Sequence, residues 1–267
     1  MVFRATSRLS IGPIWQIGDQ MLESPPYFVV IGILLGLVGA GLAYCFALFH
    51  AHVMTWFRQW SLLDNDHAVY RAVVGGLGFL TIGIVLPQTL FWSEAEIPMQ
   101  ATGAAASTFP HVWPTTGLVS FESDTALKSL LVGLAKLAAI SFTVAGGLRG
   151  GFIFPLLFVG TAVGRAVALW TGWPLPVATL CTAAAVNVAI TRAALGTSLV
   201  LCFLSGHLVT FPAILMASLT SLFATSYLKF LKTQICRADV DHSLFRRDYL
   251  HDYIDDNDAE LSDEGES

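Results

Sequence analysis

The apolar residues of this chain fall in long blocks cut by short polar or glycine-rich breaks. Between Glu23 and Arg58 there is no Asp, Glu, Lys or Arg, and the string PPYFVVIGILLGLVGAGLAYCFALF fills most of the interval. About 20 mostly apolar residues cross the hydrocarbon core of a bilayer, so this block predicts a membrane span, with Pro25-Pro26 suited to a helix start. Residues 73–92 (VVGGLGFLTIGIVLPQTLFW) predict a second span, with Pro87 as a kink or late break. Residues 93–124 carry Glu94, Glu96, Glu122, Asp124 and three prolines and read as a long extramembrane loop.

Beyond that loop the apolar material is nearly continuous but segmented. Residues 127–145 form one piece, ended by Gly146-Gly147-Leu148-Arg149-Gly150-Gly151; residues 152–170 form the next, ended by a TGWP turn. Residues 177–190, 193–204 and 211–230 complete the series, and several pieces fall short of 20 residues. Short, interrupted hydrophobic segments mark folds that place a binding site at mid-membrane depth between broken helices; the alternative is ordinary tilted helices with differently placed loops. Gly32/Gly36 and Gly160/Gly164 have the spacing that permits close helix approach.

Composition agrees with the blocks. Of 267 residues, 55% are hydrophobic and 12% charged, about half the charge of a soluble domain; the mean hydropathy is +0.66. Soluble, disordered and disulfide-scaffold classes are thereby excluded. The net charge of −5 arises at the ends: eleven of nineteen acids lie between Asp239 and Glu266, in a tail predicted to be solvated and disordered. Residues 125–238 hold no acid but eight bases, a balance tolerant of anions and poorly suited to cations, though headgroup anchoring accounts for some bases equally well. The four scattered cysteines show no metal-ligand spacing and read as packing residues. No metal site, cofactor or nucleic-acid partner is expected, nor a secretory signal at the N-terminus. The absence of GxSxG, HExxH, P-loop or paired intramembrane carboxylates argues against an enzyme.

The informative string is GGLRGGFIFPLLFVGTAVG, residues 146–164. Gly150-Gly151 disfavours a helix interior, so a helix is expected to begin near Phe152, with Pro155 in its first turn. The first N–H groups of a helix have no intrahelical partner, and inside hydrocarbon each unsatisfied group costs several kcal/mol. An anion satisfies them: the helix end carries about half a positive charge, and the amides of Gly151, Phe152, Ile153 and Phe154 are the candidate donors. The alternative is that carbonyls or waters satisfy those amides and the glycines merely pack. Arg149, beside the amides, is either an electrostatic attractor of anions or a loop residue reaching headgroups.

The same string resembles the GxFxP signature of the CLC family of chloride channels and chloride/proton exchangers. The match covers Gly150, Gly151, Pro155, Leu157, Gly160 and Gly164 and departs at Ile153, where the family usually has Phe, and at Thr161-Ala162. Residues 183–206 (AAAVNVAITRAALGTSLVLCFLSG) are similar to the family's alanine-rich helix, Arg-Ala-Pro-Leu turn and apolar helix, with Ala194 in place of the Pro and Phe203 where the family has a glutamate. Residues 25–49 resemble the helix that opens the second half of a CLC subunit. The resemblance implies that the amides of Phe152 and Ile153 contribute to a central chloride site, and it aligns His242 with the family's chloride-contacting tyrosine, Tyr249 lying seven residues on. The family's GSGIP and GKEGP motifs do not occur in these residues.

The expected fold is therefore all-α and integral to the membrane, a CLC-type bundle of tilted and broken helices amounting to roughly one inverted repeat. The expected organisation is a polar segment at 1–25, a transmembrane domain at 26–236 and a soluble acidic tail at 237–267. The expected function is transport of chloride or a similar monovalent anion. The rival expectation is a truncated, non-conducting subunit or fragment that needs a separate first half. The resemblance further implies a homodimer, or a partner carrying that half, in an unspecified lipid bilayer.

Overall fold

The protein is described by a computed structural model, which describes residues 13–18, 21–60, 67–110, 121–148 and 150–226. Among these residues the secondary structure is entirely helical: α1 (Tyr27–Gln59), α2 (Ala68–Val85), α3 (Glu96–Thr102), α4 (Ala126–Ala145), α5 (Ile153–Thr171), α6 (Leu175–Thr191), α7 (Ala194–Ser205) and α8 (Phe211–Ala224). Helices α1, α2, α4 and α5 are long and apolar enough to cross a membrane. At 33 residues, α1 is about 50 Å long. That exceeds a hydrocarbon core of about 30 Å, so the helix tilts or projects. By the same rise, α7 (12 residues) and α8 (14 residues) reach only about 18–21 Å each. They are broken pieces, joined through Gly206 at φ +72° and a 3-10 turn at Leu208–Thr210.

The core forms where small residues let backbones meet. Helix α6 is buried from Pro176 to Ile190, as a helix apolar on every side must be. It packs between α1, α5 and α8. Gly160 and Gly164 set α5 directly against the backbone of Ala183 and Ala178 on α6, while Gly32 and Gly36 do the same for α1 against Ala213 and Ala217 on α8. No Cβ fits at any of these four positions. Helix α2 is peripheral, with only Gly75 and Gly83 buried.

The N-terminal segment read as polar is packed where it is described. Trp15 and Ile17 are buried. The Trp15 amide donates to the Leu204 carbonyl at 2.8 Å, satisfying one of the carbonyls that the end of α7 leaves open. The His207 ring nitrogen Nε2 donates to the Ile17 carbonyl at 3.0 Å.

Part of the segment read as an extramembrane loop is likewise folded. It contains α3 and a 3-10 turn at Ala106–Thr108. Glu96, Ile97, Gln100 and Ala101 of α3 are buried, and polar side chains tie the segment down. Gln100 Nε2 donates to Ser129 Oγ, Ser129 Oγ donates to the Ala162 carbonyl at 2.8 Å, and Arg165 donates to the Ser123 carbonyl at 2.6 Å. Residues 111–120 and the tail at 237–267 lie outside the described residues.

Candidate functional site

The break between α4 and α5 is built by sequence at both ends. Helix α4 ends at Ala145, and Gly147 at φ +76° turns the chain away. Arg71 of α2 holds this end, its Nε donating to the Ala145 carbonyl at 2.9 Å. Helix α5 starts at Ile153, with Phe152 as the residue before it and no side chain capping the end. The first bond of the new helix runs from the Leu156 amide to the Phe152 carbonyl, 3.0 Å. The amides of Phe152, Ile153 and Phe154 precede that bond and so lack an i−4 partner, while Pro155 brings no N–H. The expected start near Phe152, with Pro155 in the first turn, is what the fold contains.

Gly150, Gly151, Phe152 and Pro155 line a cavity of about 260 Å³. Its other walls include Phe79 of α2, Phe91 and Trp92 of the segment after α2, and Lys136, Ala139, Ile140 and Thr143 of α4. Nothing stands against the Cβ positions of Gly150 and Gly151, and Ile153 is 51% exposed. Of the candidate residues named from sequence, the structure thus brings Gly150, Gly151, Phe152 and Pro155 onto one cavity, with Ile153 and Phe154 following in the first turn of α5. Arg149 and His242 lie outside the described residues.

The residue that sequence reasoning missed is Lys136. It sits in the middle of α4, only 2% exposed. Its ammonium donates to the carbonyls of Thr89 (2.7 Å), Phe91 (2.8 Å) and, at longer range, Leu90 (3.4 Å), and stands 5.6 Å from the centre of the Phe158 ring. These carbonyls are gathered by the break after α2, where Pro87 opens a 3-10 turn. Phe91 (φ +58°) and Ser93 (φ +77°) there adopt the left-handed region that non-glycine residues seldom occupy. Glu96, the first residue of α3, is 2% exposed and its Oε2 has no hydrogen-bond partner. Burial pushes the Glu96 carboxyl above the ordinary carboxylate range, against the opposing pull of backbone amides and of Lys136. Among the described residues no group of three or more His, Cys, Asp or Glu side chains is placed to hold a metal ion.

Four helices long and apolar enough to cross a membrane, joined to shorter apolar pieces, define a multi-pass integral membrane protein. The family model described as "Voltage gated chloride channel" matches residues 6–226; the chain belongs to this family. Among curated proteins it is 29% identical over 177 residues to "Chloride channel protein CLC-e" of Arabidopsis thaliana, covering 63% of this chain and 22% of that protein. It is 27% identical over 144 residues to "Chloride channel protein CLC-f" of the same plant, covering 52% of this chain and 16% of the relative. The chain thus spans about a fifth of the length of the curated relatives it matches.

Proposed function

We propose that this chain binds chloride or a similar monovalent anion at the start of α5 and takes part in moving it across a membrane. The donors are the backbone amides of Gly151, Phe152, Ile153 and Phe154, with Gly150 and Pro155 shaping the approach. One observation carries the reading: a helix begins without a side-chain cap on the wall of a 260 Å³ cavity. Amides aimed there gain most when their partner is negative. The lining is largely apolar, and the chemistry is electrostatic and hydrogen-bonding rather than covalent. Within the proposed transmembrane domain at 26–236, Ile153 departs from the family's usual Phe without altering the amide that does the binding.

A second reading follows from the openness of the cavity beside Gly150 and Gly151. Here the chain supplies one side of an anion pathway, and a second copy or a partner carrying the other CLC half closes it. Chloride efflux from liposomes tests both. Flux from the purified chain supports the first reading; flux only after co-expression with a partner supports the second. No flux in either preparation contradicts transport.

A further inference from the structure

We propose that Lys136 supplies the fixed positive charge of the α4–α5 cavity and thereby determines the sign of the ion the cavity accepts. The inference rests on the anion reading above and assigns a specificity-determining residue to that site.

Lys136 lies near the midpoint of a 20-residue apolar helix and is 2% exposed. A charge at such depth is costly and is retained where specific partners hold it.

Three backbone carbonyls, of Thr89, Leu90 and Phe91, occupy the ammonium's three N–H groups. Carbonyls satisfy the donors but carry no net charge, so the positive charge is seated without being cancelled. The contact ion pair found among the described residues is Lys128–Asp124 at 2.8 Å, at the N-terminal end of α4. Glu96 lies within electrostatic range of Lys136 but not in contact. The seat is made by a segment whose backbone at Phe91 and Ser93 sits in a rarely populated region, an arrangement that persists only where its surroundings enforce it.

Lys136 lines the same cavity as Gly150, Gly151 and Phe152, and its companions there are largely apolar. In such a medium a unit charge is screened far less than in water, so the cavity senses Lys136 together with the start of α5. Two positive sources, one a side chain and one a helix end, then converge on a space with no acid in its lining.

The test is chloride binding to the full 267-residue chain in detergent, followed by calorimetry at neutral pH with folding checked by circular dichroism. Lys136→Arg keeps the charge, and Lys136→Gln keeps N–H donors without it. Lys136→Arg is expected to bind within about threefold of wild type and Lys136→Gln about tenfold or more weakly, the scale of one unit charge at intermediate dielectric. If Lys136→Gln does not fold, Thr143→Lys, which adds a charge to the same wall without disturbing the carbonyl seat, is expected to tighten binding about tenfold. Wild-type affinity in folded Lys136→Gln overturns the inference and leaves the amide reading standing. Equal weakening in Lys136→Arg and Lys136→Gln also overturns it, since the seat rather than the charge then matters. Where Thr143→Lys is the readout, unchanged affinity has the same force. An absence of chloride binding in wild type overturns the amide reading and this inference with it.

Discussion

Gly160 of α5 meets Ala183 of α6 backbone to backbone, with no space for a Cβ between them. The contact fixes the direction in which α5 leaves the cavity, because the helix that begins at Ile153 can lie on α6 only along this face. Gly160→Ala is therefore expected to force the helices apart and cost about 1–3 kcal/mol, read as a lowered thermal midpoint in detergent. Gly150→Ala is the control. Nothing approaches its Cβ position, and its midpoint is expected to stay near that of wild type.

Arg165, 8% exposed on α5, donates to the Ser123 carbonyl and so ties the segment before α4 to the core. Arg165→Met keeps the apolar stem but leaves that carbonyl without its donor, at a cost of about 1–3 kcal/mol. Hydrogen exchange is expected to rise at residues 121–126 while α6 stays protected. Equal loosening of both regions would show that the bond is not local in effect.

How much of this was readable beforehand depends on the range of each interaction. The start of α5 was legible because its determinants are local: paired glycines that leave the helical path and Pro155 in the first turn, where its missing N–H is harmless. The break at Pro87 was legible for a similar reason, as were the close contacts at Gly160 and Gly164. Lys136 was not. Its partners Thr89 and Phe91 lie 47 and 45 residues away, and no spacing rule connects an ammonium in one helix to carbonyls freed by a break in another. The polar composition of residues 93–124 predicts a loop. Gln100, Ser123 and Ser129 are polar but bond to one another inside the fold, so α3 is buried despite its composition.

Two carboxylates give stability opposite pH dependences. The folded protein holds Glu96 above its ordinary range through burial, so the folded state favours its protonated form. Stability is expected to fall as pH rises through the ordinary carboxylate value toward the folded one, and to level off above it. Glu96→Gln should abolish that fall in a series of thermal midpoints. A pH profile unchanged by Glu96→Gln would show that this carboxyl is not the source.

Asp124 has the reverse sign. Its hydrogen bond to Lys128 at 2.8 Å holds it below the ordinary range. Its small contribution is present above the ordinary carboxylate value and lost as pH falls through the folded one. Because Asp124 is exposed, added salt is expected to erase the effect, and Asp124→Asn should remove both the acid-side loss and its salt sensitivity.

The central claim is that a backbone N–H at the start of α5 holds the anion, and a change to that single group tests it most directly. Replacing the Ile153 amide with an ester, by incorporating the α-hydroxy acid, deletes one donor and leaves every side chain in place. Chloride affinity is expected to fall about tenfold or more, the scale of a hydrogen bond to a charged group, with helicity unchanged. The matching ester at Leu169, near the far end of α5 and away from the cavity lining, should leave affinity as in wild type. Undiminished chloride binding by the folded Ile153 ester would contradict the account.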